Sequence, residues 1–144
     1  MFFYPSPSEN QHMKKAFLFL ALSLLSFSAV FSQSNKQLVV LITRANWCPT
    51  CRANEGKIRN ELVPAYSSSN NIEVVINDIT NKRTKARSKP KLEAAGVYEL
   101  SKKEVATGVI ILINPATGQI INRLSVANPL EQIRQSITEA VGKI

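Results

Sequence analysis

Residues 45–55 read ANWCPTCRANE and contain both cysteines of the chain. Immediately before them, residues 38–43 read LVVLIT, a continuous apolar run that predicts a strand buried on both faces of a sheet. Pro49 suits the first turn of a helix, because its missing N–H has no helical partner there. A helix is therefore predicted over residues 49–66, with Pro64 kinking or ending it. The two cysteines are expected at the junction between this strand and this helix.

The alternation of strands and helices continues along the chain. The sequence IEVVIN at residues 72–77 predicts a second strand. Residues 84–95 predict a second helix, which Pro90 interrupts and Gly96 closes as its C-terminal cap.

A hairpin and a last helix complete the pattern. The apolar run at residues 109–113 and the sequence QIINRL at residues 119–124 flank the turn-forming sequence NPATG and predict a β-hairpin. Asn128 is the predicted N-cap of the last helix, and Pro129 its first residue. The apolar face of that helix is predicted to comprise Leu130, Ile133, Ile137 and Val141. The order β-α-β-α-β-β-α indicates an α/β fold with a central mixed four-stranded sheet flanked by helices.

The first part of the chain has the layout of a secretory signal. Two lysines precede a short apolar run at residues 16–25, and small residues follow near a cleavage point that we place after Ser32. This pattern predicts a signal peptide over residues 1–32, with Met13 as an alternative start, and one domain over residues 33–144, secreted across the inner membrane into the periplasm. An uncleaved N-terminal anchor is the alternative, although the apolar run is shorter than the roughly 20 residues that span a bilayer.

Composition narrows the chemistry. A chain of 144 residues that is 44% hydrophobic describes one small globular domain. His12 is the only histidine, and it lies within the predicted signal peptide. The remaining domain therefore has no Ser-His or Cys-His pair, no histidine metal ligand and no imidazole base. Its chemistry must use the two cysteines.

The motif A-x-W-C-x-x-C at residues 45–51 resembles the active site of the thioredoxin superfamily. The sequence NDIT at residues 77–80 resembles the end of the next strand in the exported thiol–disulfide interchange branch, and VIILINPATG at residues 109–118 resembles its hairpin. The resemblance covers nearly all of residues 36–143. It implies a thioredoxin-like fold and a protein-disulfide oxidoreductase.

The resemblance also implies roles for the residues of the motif. The two-residue spacing lets both sulfurs meet in a disulfide, while the first thiol lies at a helix N-terminus that stabilises a thiolate. Cys48 is then the exposed nucleophile and Cys51 the deeper, resolving thiol. Trp47 is expected to cover the pair, and Arg44 adds positive field. The supporting residues are Trp47, Pro49, Thr50, Arg52 and Glu55.

Four positions carry further expectations. Glu55 lies one helical turn after Cys51 and is expected to accept its proton, the alternative being an exposed glutamate without such a role. The buried acid of many thioredoxins aligns with Ile42, so Cys51 depends on Glu55 or water. The cis-proline of the family aligns with Gly108, whose peptide bond is expected to be trans because a non-proline cis bond costs roughly 3 kcal/mol. Thr107 and Gly108 are the predicted substrate contacts.

Other interpretations of the cysteine pair stay open. A structural staple would close so short a loop that it constrains the unfolded chain little. A Cys-ligated metal or iron–sulfur site would need two ligands from a second molecule, which gives a dimer. A thioredoxin-like binding module without redox turnover is the third. Thr50 stands where strong oxidants of this fold commonly have histidine, so reduction or exchange of disulfides is favoured, and no bound cofactor is required.

Six basic residues between positions 82 and 91 form a basic cluster. This cluster is a candidate for weak contact with an anionic surface, the alternative being a solvated face of the domain without a partner. Nucleic acid is not an expected partner, because no aromatic residues alternate with the charges. The implied partners are protein disulfide substrates and an exported or membrane thiol that donates electrons. The cluster comprises Lys82, Arg83, Lys85, Arg87, Lys89 and Lys91.

Overall fold

The computed structural model describes residues 35–144, so the predicted signal peptide or anchor lies outside the described residues. Four strands form one mixed sheet in the order β2-β1-β3-β4. They are β1 (Leu38–Arg44), β2 (Ile72–Asp78), β3 (Val109–Asn114) and β4 (Gln119–Ser125). Strand β1 pairs in parallel with β2 and antiparallel with β3, and β3 pairs antiparallel with β4. The prediction of a mixed four-stranded sheet is confirmed.

Strand β1 lies inside the sheet, and all seven of its residues are buried. Leu38, Val40 and Ile42 belong to the core on one face of the sheet, and Val39 and Leu41 belong to the core on the other. Successive side chains of a strand point to opposite faces, so this apolar run fills both cores. Each fully buried Leu, Ile or Val contributes roughly 1.5–3 kcal/mol relative to an exposed one. The strand thus anchors the cysteine-bearing residues that follow it.

The predicted helix over residues 49–66 is present but not uniform. It comprises α1 (Pro49–Ala53), a π-helical segment (Lys57–Leu62) and α2 (Val63–Tyr66). In the π-helical segment, the Val63 N–H bonds to the Ile58 carbonyl, five residues earlier. Pro64 has no N–H to donate, and its ring would crowd the preceding turn of a regular α-helix. The wider π turn relieves this crowding, and the helix continues through Pro64 to Tyr66.

Helix α3 (Lys82–Ala94) begins two residues before its predicted start. Asn81 caps it, because its side chain accepts the Thr84 N–H while its own N–H donates to the Thr84 hydroxyl. The prediction that Pro90 interrupts this helix is wrong, since the helix passes through it. Pro90 and Ala86 are both exposed, so water can bond the carbonyl that the proline leaves without a donor.

Gly96 ends α3, as predicted. Its φ is +72°, and the N–H groups of Gly96 and Val97 bond to carbonyls in the last turn of the helix. A helix that the sequence analysis missed, α4 (Tyr98–Lys103), follows immediately. With six residues it spans fewer than two turns, which is too short for a distinct apolar period.

The hairpin of β3 and β4 is confirmed, and the last helix is α5 (Leu130–Val141). Its apolar side packs on the core as predicted, with Ile133 and Ile137 fully buried. The prediction of Asn128 as its N-cap is wrong. Pro129 occupies that position with ψ at 142°, no side chain caps the helix, and the Asn128 carbonyl accepts a hydrogen bond from Lys57 Nζ. Across residues 35–144, every helix is too short or too polar to cross a membrane.

Candidate active site

The two cysteines lie where β1 ends and α1 begins. Cys48 is the N-cap residue of α1, and Cys51 lies in its first turn. Their Cα atoms are 5.3 Å apart, within the range of about 4.4–6.8 Å usual for a disulfide, and the sulfurs are close enough to form one. The Cys51 N–H donates to Cys48 Sγ at 3.2 Å. This bond would stabilise negative charge on the Cys48 sulfur in the reduced protein.

Both cysteines are buried, each with 5% of its surface exposed. They form a small apolar cluster with Ala45, against which Ile79 packs. The expectation that Cys48 is exposed is therefore wrong. The physical reason is the close passage of Gly108, where a β-carbon would lie 3.7 Å from Cys48 Sγ. Exposure does not distinguish the two cysteines.

Trp47, next to Cys48 in the sequence, is an exposed residue. Its side chain is largely in solvent, with 61% of the residue surface exposed. The Cys48 N–H bonds to the Ala45 carbonyl, and this tight turn leaves Asn46 and Trp47 on the outside. That Trp47 covers the sulfurs stays a prediction, and its ring is an exposed apolar surface next to Cys48 in the chain.

Gly108 faces the cysteine pair, which is the placement that the resemblance implies. Its φ is +77°, a conformation that L side chains rarely adopt, and all peptide bonds across residues 35–144 are trans, as expected for this position. The Gly108 N–H donates to the Thr43 carbonyl at 2.8 Å, and its carbonyl accepts the Val126 N–H at 2.9 Å. Thr107 is half-buried beside it. That Thr107 and Gly108 contact substrate stays a prediction.

Arg44, the last residue of β1, organises a polar network at the start of the motif. Its guanidinium donates to Asp78 Oδ2 at 2.6 Å and to Asn46 Oδ1 at 2.7 Å, and it lies 3.6 Å from Glu55 Oε1. Burial by itself would raise the pKa of Asp78, but hydrogen bonds from Thr80 and the charge of Arg44 outweigh it and lower that pKa. The network keeps Asp78 charged and holds the turn that carries Asn46.

A small cavity lies beside Cys51 and Glu55. Its volume of about 20 Å³ gives room for about one water molecule. Glu55 Oε1 accepts a hydrogen bond from Arg59 Nε at 2.8 Å, and Ile42 forms an apolar wall at the position where the resemblance places a buried acid. The structure therefore brings Glu55 and Cys51 to one cavity, while proton acceptance by Glu55 stays a prediction. The cavity is lined by Ile42, Arg44, Cys51, Glu55, Ile58, Arg59, Ile76 and Val126.

The other predicted site residues lie on the surface of α1. Pro49, Thr50 and Arg52 are all exposed. Thr50 also borders Gly108, since a β-carbon there would lie 3.6 Å from Thr50 Cβ. No group of three or more His, Cys, Asp and Glu side chains within the described part of the chain could hold a metal ion.

The basic cluster divides between two sides of α3. Lys85 and Lys89 line an open groove that also borders α4, whereas Arg87 and Lys91 line a second groove on the β2 side. The cluster is therefore not one continuous basic surface.

The sequence analysis missed the pairing of Arg44 with Asp78. These residues lie directly opposite each other in the parallel register of β1 and β2. The sequence could have predicted this pair. Opposite charges end two adjacent strands, and neighbouring parallel strands end at the same edge of a sheet. The hydrogen bonds from Thr80 to Asp78 could not be predicted from the sequence, since they depend on the path of the loop after β2.

No protein-family model and no curated protein matches this sequence. Solved structures match it in fold. A proposed protein disulfide isomerase from Bacteroides thetaiotaomicron is 18% identical with a TM-score of 0.52, and the match covers 77% of this chain and 76% of that protein. Fasciola hepatica thioredoxin is 23% identical with a TM-score of 0.47, covering 88% of this chain and 93% of that one. A disulfide isomerase from Xylella fastidiosa Temecula1 is 20% identical with a TM-score of 0.36, covering 97% and 94%.

The first of these matches agrees with the architecture described above. The mixed sheet has the order β2-β1-β3-β4, and the cysteine pair lies between the first strand and the first helix. The chain therefore has a thioredoxin-like fold.

Proposed function

We propose that this protein is an exported thiol–disulfide oxidoreductase that reduces or exchanges protein disulfides, with Cys48 as nucleophile and Cys51 as resolving cysteine. The observation that carries the proposal is the hydrogen bond from the Cys51 N–H to Cys48 Sγ, in a pair close enough to form a disulfide. The thiolate is the attacking species in disulfide exchange, and this donor favours it. The similarity in fold to a proposed protein disulfide isomerase is in keeping with protein substrates.

The reaction comprises two exchange steps. The Cys48 thiolate attacks one sulfur of a substrate disulfide, which forms a mixed disulfide and releases the other substrate sulfur as a thiolate that takes a proton from solvent. Cys51 then loses its proton and attacks Cys48, which closes the intramolecular disulfide and releases the second substrate thiolate. Two electrons pass to the substrate, and an exported or membrane dithiol returns them by being oxidised to a disulfide.

Glu55 is proposed to accept the proton that Cys51 loses. Both residues line the cavity that has room for about one water molecule, and a water there would connect the thiol to the carboxylate. The arginines hold the carboxylate in place, with Arg59 Nε at 2.8 Å and Arg44 Nη2 at 3.6 Å from Glu55 Oε1. The same cavity is otherwise mostly apolar, so Glu55 is the carboxylate that lines it beside Cys51.

Substrate is proposed to reach Cys48 beside Gly108. A β-carbon at Gly108 would lie 3.7 Å from Cys48 Sγ and 3.6 Å from Thr50 Cβ, in contact with both, so a side chain there would cover the sulfur further. A nearly buried sulfur depends on what little access remains, because exchange requires in-line contact between attacking and attacked atoms. Thr107 and Gly108 are accordingly the proposed substrate contacts.

Export and surface contact complete the proposal. The basic start, apolar run and small residues of the N-terminal sequence support cleavage after Ser32 and a location in the periplasm, with an uncleaved anchor as the alternative. The basic cluster is split between two sides of α3, so contact with an anionic surface would engage one side at a time.

Reduction of insulin disulfides by dithiothreitol tests the proposed catalysis. The wild-type chain is expected to accelerate the reaction, and the Cys48→Ser variant is expected to leave it at the uncatalysed rate. Equal rates with both proteins would contradict the proposal. The direction is tested by equilibrating the pair with glutathione buffers, where a potential near about −270 mV indicates a reductant and one near about −120 mV an oxidant.

A second candidate function is a thioredoxin-fold binding module without redox turnover. The burial of both cysteines, each 5% exposed, favours it, because a buried disulfide reacts slowly with external thiols. The rate at which dithiothreitol reduces the native disulfide separates the two candidates. Rapid and reversible reduction supports the oxidoreductase, and reduction only on unfolding supports the binding module.

A further inference from the structure

An open groove with a volume of about 340 Å³ lies along α3 and α4. Ile79 lines this groove and also packs against the apolar cluster that contains Cys48 and Cys51. Val105 lines it too, three residues before Gly108, and 66% of the Val105 surface is exposed. One end of the groove, at Ile79, therefore borders the cluster that contains the two cysteines.

The charge of the groove is positive. Lys85, Lys89 and Lys102 line it, and no acidic residue does so among the described residues. The Nζ atoms of Lys89 and Lys102 lie 5.3 Å and 5.1 Å from the centroid of the Tyr98 ring, so two cations border one aromatic surface. Each of these two lysines also pairs with a glutamate of its own helix, but exposed pairs of this kind hold their partners weakly.

Asn77 adds a polar group to the groove, which it lines with only 5% of its surface exposed. Thr43, opposite Asn77 on β1, has a buried hydroxyl without a hydrogen-bond partner in the part of the chain that the structure describes. Buried polar groups are nearly always hydrogen-bonded, because removal from water is otherwise uncompensated. An amide that both donates and accepts matches the backbone of an extended peptide.

We propose that this groove binds an acidic, extended segment of the substrate protein next to its reactive cysteine. The inference rests on the proposed function, because it takes Cys48 as the point of exchange. The lysines attract carboxylates, the Asn77 amide bonds to the main chain, and Tyr98 and Val105 supply apolar contact. Electrostatic attraction of this kind raises the association rate and disfavours basic segments. The protein would thus select disulfides with acidic neighbours.

The first test compares two disulfide-linked peptides that differ only in having Glu or Gln beside the cysteine. Each oxidises the reduced full chain, and the remaining thiols are trapped and counted by mass spectrometry. The Glu peptide is expected to react about tenfold faster at low salt, with the ratio approaching one at high salt. A ratio of one at low salt, with both peptides reacting, would overturn the groove proposal and leave the proposed function intact.

Matched charge variants locate the effect. One triple variant removes the lysines of the groove, and the other removes three charges from positions of α3 that point away from it. The first is expected to abolish the preference for the Glu peptide, and the second to retain it. The same loss in both variants would overturn the assignment to the groove. The variants are Lys85→Gln, Lys89→Gln, Lys102→Gln and, as the control, Arg83→Gln, Arg87→Gln, Lys91→Gln.

The second test measures binding without redox chemistry. A cysteine-free acidic peptide is added to the oxidised full chain, and ¹⁵N chemical shifts are followed by NMR. The side-chain amide of Asn77 and the backbone amide of Lys102 are expected to shift. No shift at Asn77, or shifts confined to Arg87 and Lys91, would overturn the groove. Binding by a chain that fails to reduce insulin would overturn the proposed function and support the groove.

Discussion

The two faces of the sheet beside the cysteine pair differ in how their polar groups are matched. On one face, the Arg44 guanidinium bonds to Asp78 and Asn46, and its side chain is only 9% exposed. On the other face, Lys85 and its neighbours line a groove without an acidic residue among the described residues, and the buried Thr43 hydroxyl has no hydrogen-bond partner there. The polar groups of the first region are matched within the chain, and those of the second are not.

This difference separates polar groups that hold the site from those left for a ligand. A buried ion pair with satisfied hydrogen bonds fixes the geometry around it, and removing one partner leaves an uncompensated charge. Exposed lysines add nothing comparable to the fold, so their removal should change recognition and leave stability nearly unchanged. The distinction would be wrong if removing the groove lysines lowered stability, or if breaking the Arg44 network left stability unchanged.

The largest expected effect comes from Cys51→Ser. Without the resolving thiol, the mixed disulfide on Cys48 cannot be released internally, so catalysed insulin reduction should fall to the uncatalysed rate. Mass spectrometry should then detect a covalent complex between this variant and its substrate. The Cys48→Ser variant is the control and should trap none. Turnover by Cys51→Ser at the wild-type rate would show that Cys51 has no resolving role.

The next largest effect is expected for Arg44→Met, on stability. Asp78 would lose its ion-pair partner while staying partly buried, which should lower the free energy of unfolding by about 2 kcal/mol. Urea denaturation measures this change. The control is Lys89→Gln in the groove, which should change the free energy by less than about 0.5 kcal/mol. Similar losses in the two variants would mean that the regions do not differ as described.

Gly108→Ala should have a smaller effect on stability and a specific one on reactivity. A side chain at φ +77° costs about 1–2 kcal/mol, and its β-carbon would lie 3.7 Å from Cys48 Sγ. Gly118→Ala is the matched control, because Gly118 has φ +70° and nothing within 4 Å of a β-carbon there. Both variants should lose similar stability, but only Gly108→Ala should slow the reaction of reduced Cys48 with a small disulfide. Equal rates would show that access does not pass Gly108.

The smallest expected effect is a pH dependence of stability. The hydrogen bonds from Thr80 and the charge of Arg44 lower the pKa of Asp78, against the opposing effect of burial. The stabilisation is therefore fully present above the unfolded pKa of about 4 and is lost as the pH falls through the lower folded value. The free energy of unfolding, measured by urea between about pH 2 and 6, should fall less steeply with acid for Asp78→Asn than for wild type. An identical pH slope in both proteins would contradict the assigned interaction.

Local sequence patterns were enough to predict most of the fold. The apolar run of β1, the hairpin around NPATG, the apolar face of α5 and the glycine that ends α3 each depend on residues within a few positions of one another. The spacing of apolar residues and the presence of turn-forming residues are local properties, so they can be recognised without knowing the fold. The errors in predicted boundaries lie at helix ends. The Asn81–Thr84 cap starts α3 two residues before its predicted start, and Pro129, not Asn128, is the N-cap residue of α5.

The sequence by itself determined which residues form the motif, that both cysteines lie at a strand-to-helix junction, and that no histidine accompanies them. Only the tertiary structure decided that Cys48 is buried against Gly108, that Trp47 is exposed, and that Asn77 lies in a lysine-lined groove. The physical reason is the range of the interactions. Strand and helix formation follows from neighbouring residues, whereas burial and charge pairing at this site join segments that are far apart in the chain and meet only when the sheet assembles.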